Sequence, residues 1–263
     1  MTRLRLFPLN TVLFPGAVLN LHVFEERYRK MVAECLDAGE AFGVVLIRDG
    51  QEAGDPDVTP HEVGTTAEIS EVTPLPAGRY YISTVGGRRF RIDRIVSRDP
   101  YLTADVHFLD EDEHDDEDDD DARASELTHR VRGEFREYVK LLVAFSGHAS
   151  EVDVPHDPVD ASYAVGDALQ VADALKQRLL ELRTAEARLA AELGFLRRLL
   201  PQLRSLLERK RAQENVVRDA APGRRVPDAP RTLFRQALLD ELNFSLVPGA
   251  QLRGRRSASA RRS

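Results

Sequence analysis

The chain has 263 residues, 42% of them apolar and 31% charged, which is enough for two soluble globular units with a sizeable core. Its net charge of -7 averages over an acidic middle and an arginine-rich C-terminal end; the single cysteine, Cys35, excludes an intrachain disulfide and, with no Cys or His cluster at zinc spacing, points to a reducing cytosol. No run of about 18 apolar residues occurs, and Arg3, Arg5, Pro8 and Asn10 interrupt any secretory apolar core, so the expectation is a cytoplasmic protein with no membrane span.

Leu4, Leu6 and Pro8 alternate with Arg3, Arg5 and Phe7, and Ala17, Leu19, Leu21 and Val23 alternate with Val18, Asn20 and His22. This is the period of two strands, each expected to bury one face. Pro15 and Gly16 supply the fixed and the positive φ of a type II turn between them. From Glu25 the period becomes helical. Tyr28, Met31, Val32, Cys35 and Leu36 share one stripe, leaving Glu26, Arg27, Lys30 and Glu34 outward; Gly39 is a natural stop. Cys35 reads as a small buried hydrophobe and His22 as a partly buried strand residue.

Residues 41–109 are β-rich. Residues 41–48 read as a buried strand, and residues 49–57, with Gly50, Gly54 and Pro56, as a surface loop. Residues 79–85 and 89–97 flank Gly86 and Gly87, which reads as a hairpin. Leu102, Ala104, Val106 and Phe108 form the last clean alternation.

Several of these pieces together resemble the opening of the N-terminal, substrate-binding domain of Lon-type ATP-dependent proteases. They are FPLNTVLFPG at 7–16, LHVFEERY at 21–28, VGTTAEISEV at 63–72, PAGRYYIS at 76–83, GGRRFRI at 86–92 and DPYLTADV at 99–106, in the family's order. The resemblance covers most of residues 4–207. It implies an α+β fold: a small PUA-like β pseudo-barrel over 1–109, then a helical bundle.

Residues 110–121 are almost wholly acidic and interrupted only by His114. Such a run repels itself and cannot bury apolar surface, so 110–124 reads as a disordered linker at a domain boundary. Calcium or magnesium binding is the functional alternative, but the run lacks an EF-hand loop's glycine and spaced ligands. Over 125–208 the period is helical throughout. Leu127, Val131, Phe135, Tyr138, Leu142 and Phe145 form one stripe; Asp157 before Pro158, Asp173 and Thr184 stand as caps of further helices, and Pro201 breaks the leucine stripe of the last. Four antiparallel helices are expected. Residues 209–263 read as an arginine- and proline-rich, mostly disordered tail, with one amphipathic segment at 232–244.

No catalytic constellation is legible. No glycine is followed by lysine, so the phosphate-cradling GxxxxGK[ST] loop is missing, no serine sits in a GxSxG elbow, and a protease domain is expected to have no room. No cofactor and no metal are expected: His148, Asp153, His156 and Asp157 can be drawn as a metal cluster but sit in a polar loop. Binding remains. The resemblance implies capture of unfolded or degron-bearing polypeptides, with an ATP-dependent protease as a candidate partner. It places substrate contact at Phe24, Glu26, Arg27 and Lys30, whose charges are equally consistent with a plain solvated helix face. RNA binding through Arg88, Arg89 and Arg91, in the manner of other PUA-like barrels, is the alternative; the acidic run opposes it.

Overall fold

Strand β1 (Thr2–Leu9) runs through the middle of the β-rich part, parallel to β3 (Phe42–Asp49) and antiparallel to β6 (Thr103–Phe108). The computed structural model describes residues 2–52, 55, 57–111, 118–146 and 153–220. The remaining elements of this part are β2 (Val18–Val23), α1 (Glu26–Ala38), β4 (Thr59–Leu75) and β5 (Arg79–Ser97). Strand order is β2-β5-β4-β3-β1-β6, and β6 also pairs with β5, so five strands close a ring that leaves β2 outside it.

The two long strands serve two structures. The inner stretches of β4 and β5 belong to the ring, through pairing with β3 and β6. Their outer stretches, Ala67 to Leu75 against Gly86 to Arg79, project as an arm to which β2 adds the third strand. The ring encloses Leu4, Leu6, Val45, Phe90, Leu102, Ala104 and Val106. Helix α1 packs Tyr28, Met31, Val32 and Cys35 against Phe7, Leu9, Phe42 and Val44 and against the arm's inner face at Val23 and Ile82.

These placements correct several expectations. β1 buries both faces, because α1 covers the side that the ring does not: Phe7 stacks on Tyr28 with centroids 4.0 Å apart. Leu36 lies past the end of that contact and is exposed. His22 is exposed as well, on the arm's outer face. Gly86 and Gly87 make no hairpin, since β5 runs straight through them. The backbone of residues 14–17 closes on Gly86 instead. Gly16 N–H donates to Gly86 O and Gly86 N–H to Ala17 O, both at 2.8 Å, and a side chain at Gly86 would meet Phe14 O at 2.1 Å. The hairpin sits at Pro76–Gly78, where Ala77 and Gly78 adopt positive φ and Arg29 Nη1 donates to Ala77 O at 2.6 Å. The Pro15–Gly16 turn and the left-handed Gly39 cap stand as the sequence predicts.

Beyond the ring come α2 (Asp118–Ser146), α3 (Pro158–Ala168), α4 (Asp173–Glu181) and α5 (Ala185–Ala220). α2 begins inside the acidic run and α5 continues twelve residues into the stretch read as tail; the 232–244 segment lies outside the described residues. Asp157 caps α3 by accepting from Asp160 N–H at 2.9 Å, and Thr184 Oγ1 accepts from Ala187 N–H at 3.1 Å. Asp173 is not a cap. Ala172 holds that position, and Asp173 sits in the first turn where the helix dipole favours its charge. Pro201 does not break α5, because the buried Leu199, Leu200, Leu203 and Leu207 anchor the helix on both sides of it.

One core joins the two parts. Val12, Phe14, Leu46 and Val63 from the β-rich part pack with Phe135, Tyr163, Val165, Leu180, Leu189 and Leu193 of the helices. Phe14 is wholly buried beside Gly166, where an added Cβ would lie 3.0 Å from its ring and force it to shift by a few tenths of an ångström. Glu192 on α5 faces the same space. It is fully buried, and neither carboxylate oxygen meets a hydrogen-bond donor.

Burial pushes the Glu192 carboxyl well above the usual range, against the pull of Arg188. With a folded-state value above the unfolded value of about 4.3, the stability this group contributes is full below the unfolded value and is lost as pH rises through the folded one. Glu192→Gln removes that titration. The melting temperature of the variant relative to the parent should therefore rise as the pH is taken up from the unfolded carboxyl value, followed by calorimetry; identical pH dependence in both proteins would contradict the neutral buried acid.

Candidate functional site

The arm of β2, β5 and β4 has two unlike faces because strand side chains alternate. Leu19, Leu21 and Val23 turn towards α1. The opposite face presents Val18, Asn20 and His22, which stand across from Val85, Ser83 and Tyr81 of β5. His22 packs on Tyr81 with centroids 4.7 Å apart and on Phe24 at 5.6 Å. Phe24 and Tyr81 are each 53% exposed, so the three rings form a cluster that no described residue covers, and Val18, 64% exposed, stands on the same face beyond Asn20 and Ser83. An exposed aromatic cluster of this kind is what a partner's apolar side chains recognise.

Glu26 and Lys30 lie exposed at the start of α1, just after Phe24. Arg27 does not join them. Its side chain is 19% exposed: Nε donates to Glu25 Oε2 at 3.0 Å, Nη1 donates to Asp55 O at 3.1 Å, and the guanidinium sits 4.6 Å from the Tyr28 ring centroid. It ties the helix start to the 49–57 loop. Glu34 is likewise held, accepting from the Tyr101 hydroxyl and from Arg5, and those bonds keep its carboxyl below the usual range. Of the residues read from the sequence, Phe24, Glu26 and Lys30 reach the surface together. Val18, His22 and Tyr81 were not read as site residues, although aromatic rings at the polar positions of their alternations were a signal.

The arginines of β5 go elsewhere. Arg88 lies over the Phe108 ring and pairs with Asp110, and Arg91 pairs with Glu62. Arg89 is only 2% exposed and leaves the ring for the bundle. Its Nη1 donates to the carbonyls of Leu180 and Leu182 at 2.9 and 2.5 Å, and its Nη2 to Arg183 O at 3.0 Å and Glu111 Oε1 at 2.8 Å. Arg188, fully buried on α5, mirrors it: Nη2 donates to Glu111 Oε2 at 2.6 Å, Nη1 to Leu182 O at 3.1 Å and Nε to Ser162 Oγ at 2.8 Å. The Tyr163 hydroxyl donates to Glu111, and the Arg188 guanidinium sits 4.3 Å from that ring's centroid. Two cations at the carbonyl end of α4 share one carboxylate, which satisfies the helix terminus.

No reactive group appears in either place. The Cys35 thiol is buried and pushed up to about 11 by that burial, which leaves it unreactive. Among the described residues no three His, Cys, Asp or Glu side chains converge to hold a metal, and no helix is long and apolar enough to cross a membrane. Of the cluster drawn from the sequence, Asp157 is the α3 cap, both ring nitrogens of His156 face Arg132, and His148 lies outside the described residues.

Residues 3–198 match the family model described as ATP-dependent protease La (LON) substrate-binding domain. Lon protease 2 from Syntrophobacter fumaroxidans is 28% identical over 204 residues, 76% of this chain and 25% of that protein. Lon protease from Flavobacterium johnsoniae is 32% identical over 108 residues, 40% of this chain and 13% of its own length. The chain thus spans about a quarter or less of these curated relatives. Among solved structures, a Lon N-terminal domain protein from Xanthomonas campestris aligns with TM-score 0.53 and 27% identity, over 74% of this chain and 98% of that one. The N-terminal domain of a Mycobacterium avium complex Lon protease aligns with the same score and coverage at 17% identity, which speaks for the fold.

Truncating Arg89 leaves Glu111 half-paired, takes the guanidinium from Leu180 O and leaves the Leu182 and Arg183 carbonyls to Arg188 alone. Arg89→Ala should therefore destabilise the chain by about 3 to 5 kcal/mol, whereas Arg88→Ala and Arg91→Ala, on exposed pairs, should each cost less than about 1 kcal/mol. Urea unfolding of the three variants reads this directly; an Arg89→Ala protein as stable as the other two would refute the buried role.

Proposed function

The chain belongs to the Lon substrate-binding domain family, and from that premise we propose that it is a non-catalytic module that captures unfolded or degron-bearing polypeptides in the cytoplasm. It acts as a substrate-binding adaptor or holding protein in protein quality control, with an ATP-dependent protease as the partner to which a captured chain passes. The observation that carries this reading is the uncovered cluster of His22, Phe24 and Tyr81, with Val18 on the same face, beside the exposed charges of Glu26 and Lys30. Unfolded chains differ from folded ones chiefly in the apolar side chains they expose. Rigid rings on a strand scaffold bind such side chains at small entropic cost, and rim charges set association rate and salt dependence.

RNA binding finds little support here. A phosphate would have to compete with Glu111 and three backbone carbonyls for Arg89, and with Asp110 and Glu62 for Arg88 and Arg91.

The double variant Phe24→Ala, Tyr81→Ala removes exposed rings and should melt within a few degrees of the parent. Its affinity for a permanently unfolded protein, read by fluorescence anisotropy, should fall at least about tenfold, since interface anchors cost more than about 1 kcal/mol each. Glu26→Ala with Lys30→Ala should flatten the salt dependence more than it lowers affinity. Unchanged binding by the aromatic double variant at low salt would move the client surface off the arm.

A further inference from the structure

β2 is the terminal strand of the sheet order, and among the described residues it pairs with β5 alone. The carbonyls of Ala17 and Leu19 face β5, accepting from Gly86 N–H and Thr84 Oγ1. By the alternation of an antiparallel ladder, the N–H and C=O groups of Val18, Asn20 and His22 then face away from the sheet. The strand VLNLHV holds no proline, no charge and no bulge, the devices by which edges are normally blocked.

Resting on the reading of this arm as the polypeptide-binding face, we propose that the client binds as an added β-strand along the free edge of β2. The occupant is an extended segment of an unfolded chain with apolar side chains at alternate positions. An unblocked row of donors and acceptors is complementary to an extended backbone and to little else, and it is indifferent to sequence, as capture of many unfolded chains requires. The alternate side chains give the second contact. A strand laid beside β2 continues the arm's pleat, so every second side chain emerges on the face of Val18, His22, Phe24 and Tyr81.

The test uses the full chain and, as probe, reduced and carboxymethylated α-lactalbumin. Asn20→Pro removes an outward N–H, in a position where an edge strand tolerates proline, and Asn20→Ala is its side-chain control. The Pro variant should bind the probe up to about tenfold more weakly than parent and Ala control, the loss of one backbone hydrogen bond at the upper end of its usual range. In the parent, the probe should slow hydrogen exchange at the amides of Val18, Asn20 and His22. Should the Pro variant not fold, the parent should bind a short peptide of alternating valine and threonine about tenfold better than the same peptide N-methylated at every residue, which leaves neither edge able to donate. Equal binding by the folded Pro and Ala variants, or equal binding of the two peptides, overturns strand addition. If the Phe24, Tyr81 double variant then still loses affinity, polypeptide capture by the side chains stands without it. A parent that does not bind the probe at all overturns both. Protection of the three amides that grows with the chain's own concentration, without probe, assigns the edge to a second copy and overturns the proposal.

Discussion

The joining of the β-rich part to the bundle depends on the way Glu111 holds Arg89 and Arg188 against the end of α4. The three side chains come from the barrel, the segment leaving it and the last long helix. Ion pairs taken out of water gain little over a well-packed apolar junction unless every donor and acceptor is used. Here nearly all are: the guanidiniums also serve the carbonyls of Leu180, Leu182 and Arg183, and the Ser162 and Tyr163 hydroxyls complete the set. The Arg89 Nε is the exception, buried without a partner. The orientation of the parts is therefore specified by hydrogen-bond geometry, while Phe14 in its slot against Gly166 supplies apolar burial.

A rigid junction has a functional consequence. With the bundle fixed to one side of the ring and α1 covering the inner face of the arm, the arm's outer face and the edge of β2 stay uncovered by any described residue. The long strands β4 and β5 make this possible. Rooted in the closed ring at one end, they hold the arm as a rigid extension, so its rings are presented without the entropic cost of ordering a loop. Arg27 and Arg29 serve the same rigidity from α1, tying its first turn to Asp55 O and to the hairpin at Ala77.

Local features of this design were legible in the sequence. The strand alternations, the α1 stripe, the Gly39 stop and the caps at Asp157 and Thr184 depend on residues within a few positions of each other. What was not legible depends on partners far along the chain. Gly86 and Gly87 look like a hairpin because their real cause, the approach of residues 14–17, is remote in sequence. Arg89 sits at a polar position of its alternation and looks like a solvated cation; its first carbonyl partner is 91 residues away. Arg27 likewise shows its commitment to Glu25 and Asp55 only once the loop has folded back. Phe24 was found through family resemblance, whereas His22 and Tyr81 joined it only when β2 paired with β5.

On the proposed function, a polypeptide engages the arm while the junction stays closed. Amide chemical-shift mapping of the isotope-labelled full chain, titrated with an unfolded protein, tests it in one measurement. The account requires perturbations concentrated at Val18, His22, Phe24, Tyr81 and their strand neighbours, with the resonances of Arg89, Tyr163 and Arg188 unmoved. Perturbations centred on Arg89, Tyr163 and Arg188, with the arm silent, would contradict it and place the client between barrel and bundle.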